Sequence, residues 1–179
     1  PTAVVGLLAY DYIKAYLFNP IVVSVSLILG GIILIFIDKK VAAQGSTVVE
    51  VEDISYKNAF FIGLCQCLSM VPGTSRAAAT IIGGVFNGLD KRQATEFSFL
   101  LAVPTMLAAG GYDLLKSDLA FSSEQLILLG IGFVVAFASA WAAVKLFLTY
   151  VSTHGFTAFG WYRIALGILF LIFMWGAEF

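Results

Sequence analysis

The chain has 179 residues, of which 60% are hydrophobic and only 12% are charged. Soluble domains carry about 25% charged residues, so this composition excludes an ordinary soluble protein. The net charge of −1 gives no support for a nucleic-acid partner. The apolar runs are continuous and lack the alternation of a membrane β-barrel. We therefore expect an all-α, polytopic membrane protein that forms a single integral membrane domain over residues 1–179.

Apolar runs and capping residues predict the helices. Asn19-Pro20 resembles a helix start, with Asn as the cap and Pro in the first turn. Asp90 with Gln93 resembles a capping box, and Ser122 is a further cap. The chain begins inside an apolar run without a signal peptide, so we expect an N-terminally truncated sequence. After the tail of a first helix, spanning helices are predicted over residues 21–37, 94–115 (with a kink at Pro104), 126–150 and 156–175.

The stretch between the first and second predicted spans is different. Residues 41–58 are polar and are predicted to form a loop, with Ser55 capping the helix that follows. Two apolar runs of 13 residues, 59–71 and 77–89, then flank Pro72–Arg76. At ~1.5 Å per residue each reaches roughly 20 Å, less than the ~30 Å hydrocarbon core. We expect residues 59–89 to form a re-entrant hairpin; the alternative is one long span kinked at Pro72.

Either architecture implies a polar pocket, because non-helical backbone at membrane depth must lie within protein or face a water-filled cavity. The hairpin also collects positive charge. It places residues 38–58 and 90–92 on one side of the membrane, which a kinked span would not do. An excess of basic residues is typical of cytoplasmic loops, so the pocket is expected to open to the opposite face. Five of the ten basic residues would lie on the cytoplasmic side: Lys39, Lys40, Lys57, Lys91 and Arg92.

The residues of the hairpin turn favour an anion as ligand. Ser75 and Arg76 are placed at the N-terminus of the second half-helix, where unpaired amides and the helix dipole attract negative charge. A glycine at position 73 allows a close approach to the backbone, and Thr74 adds a hydroxyl donor. The guanidinium suits two phosphate oxygens at once, and Thr80 lies on the same helix face. Phosphate is therefore the predicted ligand.

Structural roles for the same residues remain open at this point. Arg76 could instead pair with a helix C-terminus or with Glu96. The Ser75 hydroxyl could serve as a helix cap. The Thr80 hydroxyl could bond a neighbouring helix.

Three segments, in this order, resemble one family. They are Gly63-x-x-Gln66, Pro72-Gly73-Thr74-Ser75-Arg76-x-x-Ala79-Thr80, and Glu96-Phe97-Ser98-Phe99-Leu100-Leu101-Ala102-Val103-Pro104. They are similar to segments of the bacterial undecaprenyl-diphosphate phosphatases, also known as bacitracin-resistance proteins. The resemblance implies an enzyme of the bacterial inner membrane that hydrolyses undecaprenyl diphosphate and recycles the lipid carrier for peptidoglycan synthesis. It also implies an inverted repeat, of which this chain would contain one half.

The resemblance assigns roles to four residues. Arg76 would bind and neutralise the diphosphate, Ser75 and Thr80 would assist, and Gln66 would face the same site. The family also uses a divalent metal (Mg or Ca), expected from an upstream glutamate-rich motif that these 179 residues do not contain. The family's usual Ser-Gly after the arginine is replaced by Ala77-Ala78, which removes one hydroxyl.

A transporter or flippase of a polyprenyl phosphate lipid is the main alternative function, because broken helices and inverted repeats are also a transporter device. Both functions need the same pocket. Only hydrolysis needs a metal or nucleophile together with a base, so phosphate release separates the two.

Overall fold

The computed structural model describes residues 1–44, 54–116 and 122–177, and within these ranges it contains helices and no strand. It confirms the all-α fold class. The helices are α1 (Thr2–Tyr16), α2 (Pro20–Gln44), α3 (Tyr56–Cys67), a 3₁₀ turn (Leu68–Met70), α4 (Arg76–Phe86), α5 (Lys91–Lys116), α6 (Ser123–His154) and α7 (Thr157–Ala177).

The predicted helix starts are confirmed by side-chain caps. At α2, Asn19 Oδ1 accepts a hydrogen bond of 2.9 Å from the Val22 amide. Asp90 and Gln93 form a capping box before α5, with bonds of 2.7 and 3.1 Å. The remaining caps are Ser55 at α3 and Ser122 at α6.

Four helices are long and apolar enough to cross a membrane: Pro20–Val41, Lys91–Lys116, Ser123–His154 and Thr157–Met174. The four predicted spans are therefore confirmed, and the chain is a multi-pass membrane protein. The second of these spans, α5, continues through Pro104. One turn of it is supported by Thr105, whose hydroxyl donates to the Leu101 carbonyl at 2.9 Å.

Two short helices and a turn occupy the central stretch. The helix α3 has 12 residues and α4 has 11. They pack against each other so closely that a Cβ added at Gly83 of α4 would lie 2.8 Å from Cys65 Cβ of α3. The hydrogen-bonded helix ends at Met70 and starts again at Arg76. The chain thus forms a helical hairpin here, and the single kinked span does not form.

Two predicted connections are shorter in the structure. The loop predicted over residues 41–58 does not include residues 41–44, which belong to α2, because the apolar Val41-Ala42-Ala43 extends the helix beyond its charged Asp38-Lys39-Lys40. It ends before Tyr56, and residues 45–53 lie outside the described part of the chain. The turn predicted over residues 151–155 is helical up to His154, so that Gly155 and Phe156 alone connect α6 to α7.

The helices α2 and α7 pack closely against each other. Glycines face each other across it: a Cβ at Gly31 would lie 2.5 Å from the Gly160 carbonyl, and a Cβ at Gly160 would lie 2.8 Å from the Gly31 carbonyl. Small residues that let two backbones approach are typical of membrane helix pairs. The helix α7 therefore runs alongside α2, and its residue Arg163 lies next to the hairpin turn.

A second set of contacts, centred on Asp38, holds the helix ends together. Asp38 Oδ2 accepts three bonds of 2.6 Å, from the amides of Phe156 and Thr157 and from the Thr157 hydroxyl. Lys91 Nζ lies 2.8 Å from Asp38 Oδ1. At the same end Lys40 Nζ lies 4.7 Å from the centre of the Phe86 ring. The end of α2, the end of α4 and the starts of α5 and α7 therefore meet, as the hairpin prediction requires.

Candidate functional site

The hairpin turn has an unusual backbone. Within it, the Thr74 amide donates to the Val71 carbonyl at 3.1 Å. Gly73 has φ 90°, and Ser75 has φ 69°, which among the described residues makes Ser75 the one non-glycine residue with a positive φ. Such a conformation costs on the order of 1–3 kcal/mol and persists only when the surroundings enforce it. The contacts of this turn must therefore hold Ser75 in place.

Arg163 of α7 supplies such a contact. Its Nη2 donates to the Gly73 carbonyl at 2.7 Å and to the Thr74 carbonyl at 3.1 Å. Both acceptors precede Ser75 directly, so the guanidinium fixes the path of the backbone into α4. The absence of a side chain at Gly30 makes room for this guanidinium, because a Cβ there would lie 2.6 Å from Nη2. We call the contact of Arg163 with Gly73 and Thr74 the arginine clamp.

The sequence showed Arg163 within the last span but did not indicate its role. Its partners lie 90 and 89 residues away in the chain. The available signal was its charge, since an arginine inside a membrane helix marks a functional site by default.

Ser75 and the first turn of α4 face outward from this clamp. Ser75 is exposed, and its Oγ accepts from the Ala78 amide at 3.4 Å, so the hydroxyl does cap the helix. The first intrahelical bond of α4 joins the Ala79 amide to the Ser75 carbonyl at 3.1 Å. The amides of Arg76 and Ala77 precede it and stay free of intrahelical bonds. The predicted helix terminus is therefore present, and its role in anion binding stays a prediction.

Arg76 is half-buried, and its Nη1 donates to the Ser98 carbonyl of α5 at 2.9 Å. The alternative of a pair with Glu96 is wrong, because Glu96 Oε1 lies 2.9 Å from Arg92 Nε. Among the described residues no carboxylate lies within ion-pair distance of Arg76. One of five N–H donors is thus committed to a neutral carbonyl, and the positive charge is not neutralised within this part of the chain.

Thr80 does not face an open pocket. It is 1% exposed, and its hydroxyl lies 2.6 Å from the Ser98 hydroxyl, which is equally buried. It also lies 3.1 Å from the Arg76 and Ala77 carbonyls. The structural alternative, a bond between helices, therefore describes Thr80 in this structure. Ser98 contacts Arg76 through its carbonyl and Thr80 through its hydroxyl. It therefore positions Arg76, a role that the sequence did not indicate.

Comparison with known proteins identifies the family of this site. The family described as bacitracin resistance protein BacA matches residues 1–169. The chain belongs to this family. A protein named undecaprenyl-diphosphatase 3 from Acinetobacter baylyi is 45% identical over 174 residues, which cover 97% of this chain and 65% of that protein.

Two further relatives agree. Undecaprenyl-diphosphatase 1 of Chromobacterium violaceum is 46% identical, over 98% of this chain and 64% of its own length. An undecaprenyl-diphosphatase of Enterococcus faecalis is 46% identical, over 96% of this chain and 62% of its own length. The chain thus spans slightly less than two thirds of the length of these curated relatives.

Two residues of this BacA-family chain have surroundings that the sequence did not indicate. The close approach that Gly73 permits is to α2, because a Cβ there would lie 2.5 Å from the Val23 carbonyl. Gln66 is 2% exposed. Its own carbonyl accepts from the Ser69 hydroxyl at 2.6 Å, and its side-chain oxygen has no partner among the described residues. A role of Gln66 at the phosphate site stays a prediction.

The described residues do not fit the divalent metal that the BacA family implies. Mg²⁺ and Ca²⁺ prefer carboxylate and carbonyl oxygens. The side chains around the turn are hydroxyls and guanidinium groups. Within residues 1–44, 54–116 and 122–177 no group of three His, Cys, Asp or Glu side chains is placed to hold a metal. The groups that the turn does offer are hydrogen-bond donors, namely backbone amides, hydroxyls and an arginine, and donors of this kind suit an anion.

Proposed function

We propose that the natural protein containing residues 1–179 hydrolyses undecaprenyl diphosphate to undecaprenyl phosphate and inorganic phosphate. This reaction recycles the lipid carrier for peptidoglycan synthesis and confers resistance to bacitracin. The observation that carries the proposal is the arrangement at the start of α4, where exposed Ser75, free amides and an arginine with no carboxylate partner in the described part of the chain converge. The names of the curated relatives, which are undecaprenyl-diphosphatases, support the same substrate.

The described residues would act on the diphosphate by electrostatics. Water adds to the terminal phosphorus, the bond from that phosphorus to the bridging oxygen breaks, and this oxygen leaves on undecaprenyl phosphate. Negative charge spreads over the phosphoryl oxygens during the step, and donors placed in advance stabilise it. Arg76 would bind these oxygens, and the Ser75 hydroxyl and the first amides of α4 would orient them. Ser98 and Thr80 would hold Arg76 in position.

The proposal includes the protein's place in the cell. The α3–α4 hairpin would re-enter the bacterial inner membrane from its cytoplasmic side, at the end of the bundle where Lys40 contacts Phe86 and Lys91 contacts Asp38. The turn with Ser75 would then lie at membrane depth and open towards the periplasm. A divalent metal, Mg or Ca, is proposed from the family resemblance, with ligands other than the residues around the turn. Chelation of that metal should stop phosphate release, and addition of Mg²⁺ or Ca²⁺ should restore it.

Phosphate release from undecaprenyl diphosphate tests the proposal. The natural protein, its Arg76→Ala variant and the control Arg92→Ala would be compared in detergent with added divalent metal. The control removes an exposed arginine that pairs with Glu96 away from the turn. We expect release by the natural protein and by Arg92→Ala but not by Arg76→Ala. If the natural protein binds the lipid diphosphate and releases no phosphate with any metal, hydrolysis is excluded and the flippase alternative takes its place.

A further inference from the structure

A groove of about 580 Å³ opens beside Ser75. Four helices form most of it, α4, α5, α6 and α7, and Leu34 of α2 contributes at one side. Its volume falls in the range of small-molecule sites, roughly 300–1,000 Å³. Ser75 and Arg163 of the arginine clamp line one end of the groove, and most of its other lining residues take no part in the contacts that hold the turn.

The two ends of the groove differ in chemistry. Ser75 and Arg163 are at one end, next to the proposed phosphate site. Along α4 the groove then continues to Ile81, and from Arg163 back along α7 it continues to Phe156, which directly precedes that helix. At ~1.5 Å per residue both paths are roughly 10 Å long. Apart from Ser75, Arg163 and Tyr162 the lining side chains are hydrocarbon, and Tyr162 directly precedes Arg163 at the polar end, so a ligand that fills the groove must be polar at one end and apolar beyond it.

One face of α6 forms the long apolar wall. Ala140, Ala143, Val144 and Phe147 all line the groove, and their spacing of i, i+3, i+4 and i+7 places them on a single helix face. The small side chains of Ala140 and Ala143 leave the groove open, and the Phe147 ring closes its end. Phe147 is held by Phe159 of α7, with ring centres 5.1 Å apart. The wall is therefore shaped by small residues in the middle and by packed rings at its end.

We propose that this groove binds the isoprene units next to the diphosphate and that Ala143 determines how well they fit. The inference rests on the proposed function, since it takes the lipid diphosphate as the ligand. The groove starts where the phosphate would lie, and a prenyl diphosphate has the required order of groups, an anion followed directly by a branched apolar chain. A length of roughly 10 Å accommodates the first few units, and the rest of the chain would extend into the bilayer.

A bulkier residue at position 143 tests the proposal by filling the groove. Ala143→Phe would be compared with the matched control Ala142→Phe, whose position is exposed on α6 and does not line the groove. The substrates are farnesyl diphosphate and undecaprenyl diphosphate, and inorganic pyrophosphate serves as an inhibitor that has no chain. Ala143→Phe should raise KM about tenfold for both lipids, the change expected when a few methylene groups lose their burial. Its inhibition by pyrophosphate and its kcat should stay unchanged, and Ala142→Phe should match the natural protein.

A second readout does not depend on turnover. A farnesyl monophosphate with a diazirine on its first isoprene units would be photo-crosslinked to the natural protein, and the modified peptides identified by mass spectrometry. We expect labels on α6 and α7 around Ala143 and Phe159, and their loss in Ala143→Phe. The smaller replacement Ala143→Leu, with melting in detergent followed for every variant, separates a filled groove from a misfolded protein.

The outcomes separate the groove from the reaction. If the natural protein hydrolyses nothing but the label still falls on the groove, the proposed function fails and the prenyl site stands. Equal KM values for Ala143→Phe and Ala142→Phe, together with labels elsewhere, overturn the prenyl site and leave the phosphatase. A stability or assembly defect in Ala143→Phe with unchanged KM and no label means that protein fills the groove, either another segment of the natural chain or a second copy, and it also overturns the inference.

Discussion

Two polar clusters lie in this bundle, one at the end where α2 meets α7 and one at the hairpin turn. At the first, Asp38 is 7% exposed, accepts from two amides and a hydroxyl, and faces Lys91. At the second, Arg76 binds a neutral carbonyl and faces no carboxylate among the described residues. A buried charge that is satisfied inside the protein serves the fold. A charge with donors to spare is available to a ligand.

Arg76→Ala tests this comparison between the Asp38 and Arg76 clusters, and it has the largest expected effect. The variant should lose about 10³-fold in kcat/KM for undecaprenyl diphosphate, the size found when an arginine leaves a phosphoryl-transfer site. Its melting temperature in detergent should change little, because one bond to a carbonyl is lost. Arg76→Lys should recover part of the activity, since it keeps the charge without the planar fork. If the variant unfolds instead, Arg76 has a structural role, as Asp38 does.

Asp38→Ala should do the reverse. Removal of one partner of a buried ion pair costs about 3 kcal/mol, because Lys91 and the first amides of α7 then lose their acceptor. The free energy of unfolding would be measured in mixed micelles by SDS titration. Glu96→Ala is the matched control; it breaks an exposed pair with Arg92, which contributes about 0–1 kcal/mol. A loss of activity in Asp38→Ala without a loss of stability would contradict a structural role.

The arginine clamp connects the two clusters, since α7 is anchored by Asp38 and holds the turn through Arg163. Arg163→Ala should lower kcat about 10²-fold, the effect of misplacing a catalytic group by about 1 Å. Arg163→Lys should recover part of kcat. Gly30→Ala should also lower kcat, because the added Cβ displaces the Arg163 guanidinium. If these variants change KM alone, Arg163 contacts the substrate and is more than a clamp.

Thr80→Val should have the smallest effect. The buried Ser98 hydroxyl would lose its bond of 2.6 Å, at a cost of about 1–2 kcal/mol in stability. Activity should fall only a few-fold, because the Arg76 bond to the Ser98 carbonyl remains. Thr105→Val is the control, since that hydroxyl bonds only carbonyls of its own helix. A loss of activity as large as that of Arg76→Ala would indicate that Thr80 contacts the phosphate directly.

The sequence by itself determined the spans, the helix caps and the hairpin. Long apolar runs, capping pairs three residues apart and a proline–glycine break are local features, so the chain around them is enough to interpret them. It also predicted a helix N-terminus at Ser75 and Arg76, which the structure shows, and the binding of an anion there stays a prediction, based on the chemistry that a helix N-terminus with an arginine has in any fold.

The tertiary structure alone decided what each polar group contacts. Thr80 meets Ser98 across 18 residues of chain, Arg163 meets Gly73 across 90, and Asp38 meets Thr157 across 119. No local pattern encodes these pairs, since they follow from the glycine-lined packing of α2 on α7 and of α4 on α5. For that reason the sequence left open whether Thr80 contacts a ligand or a neighbouring helix, and it did not indicate that Gly73 packs against α2. For the same reason it left Arg163 and Ser98 without a role.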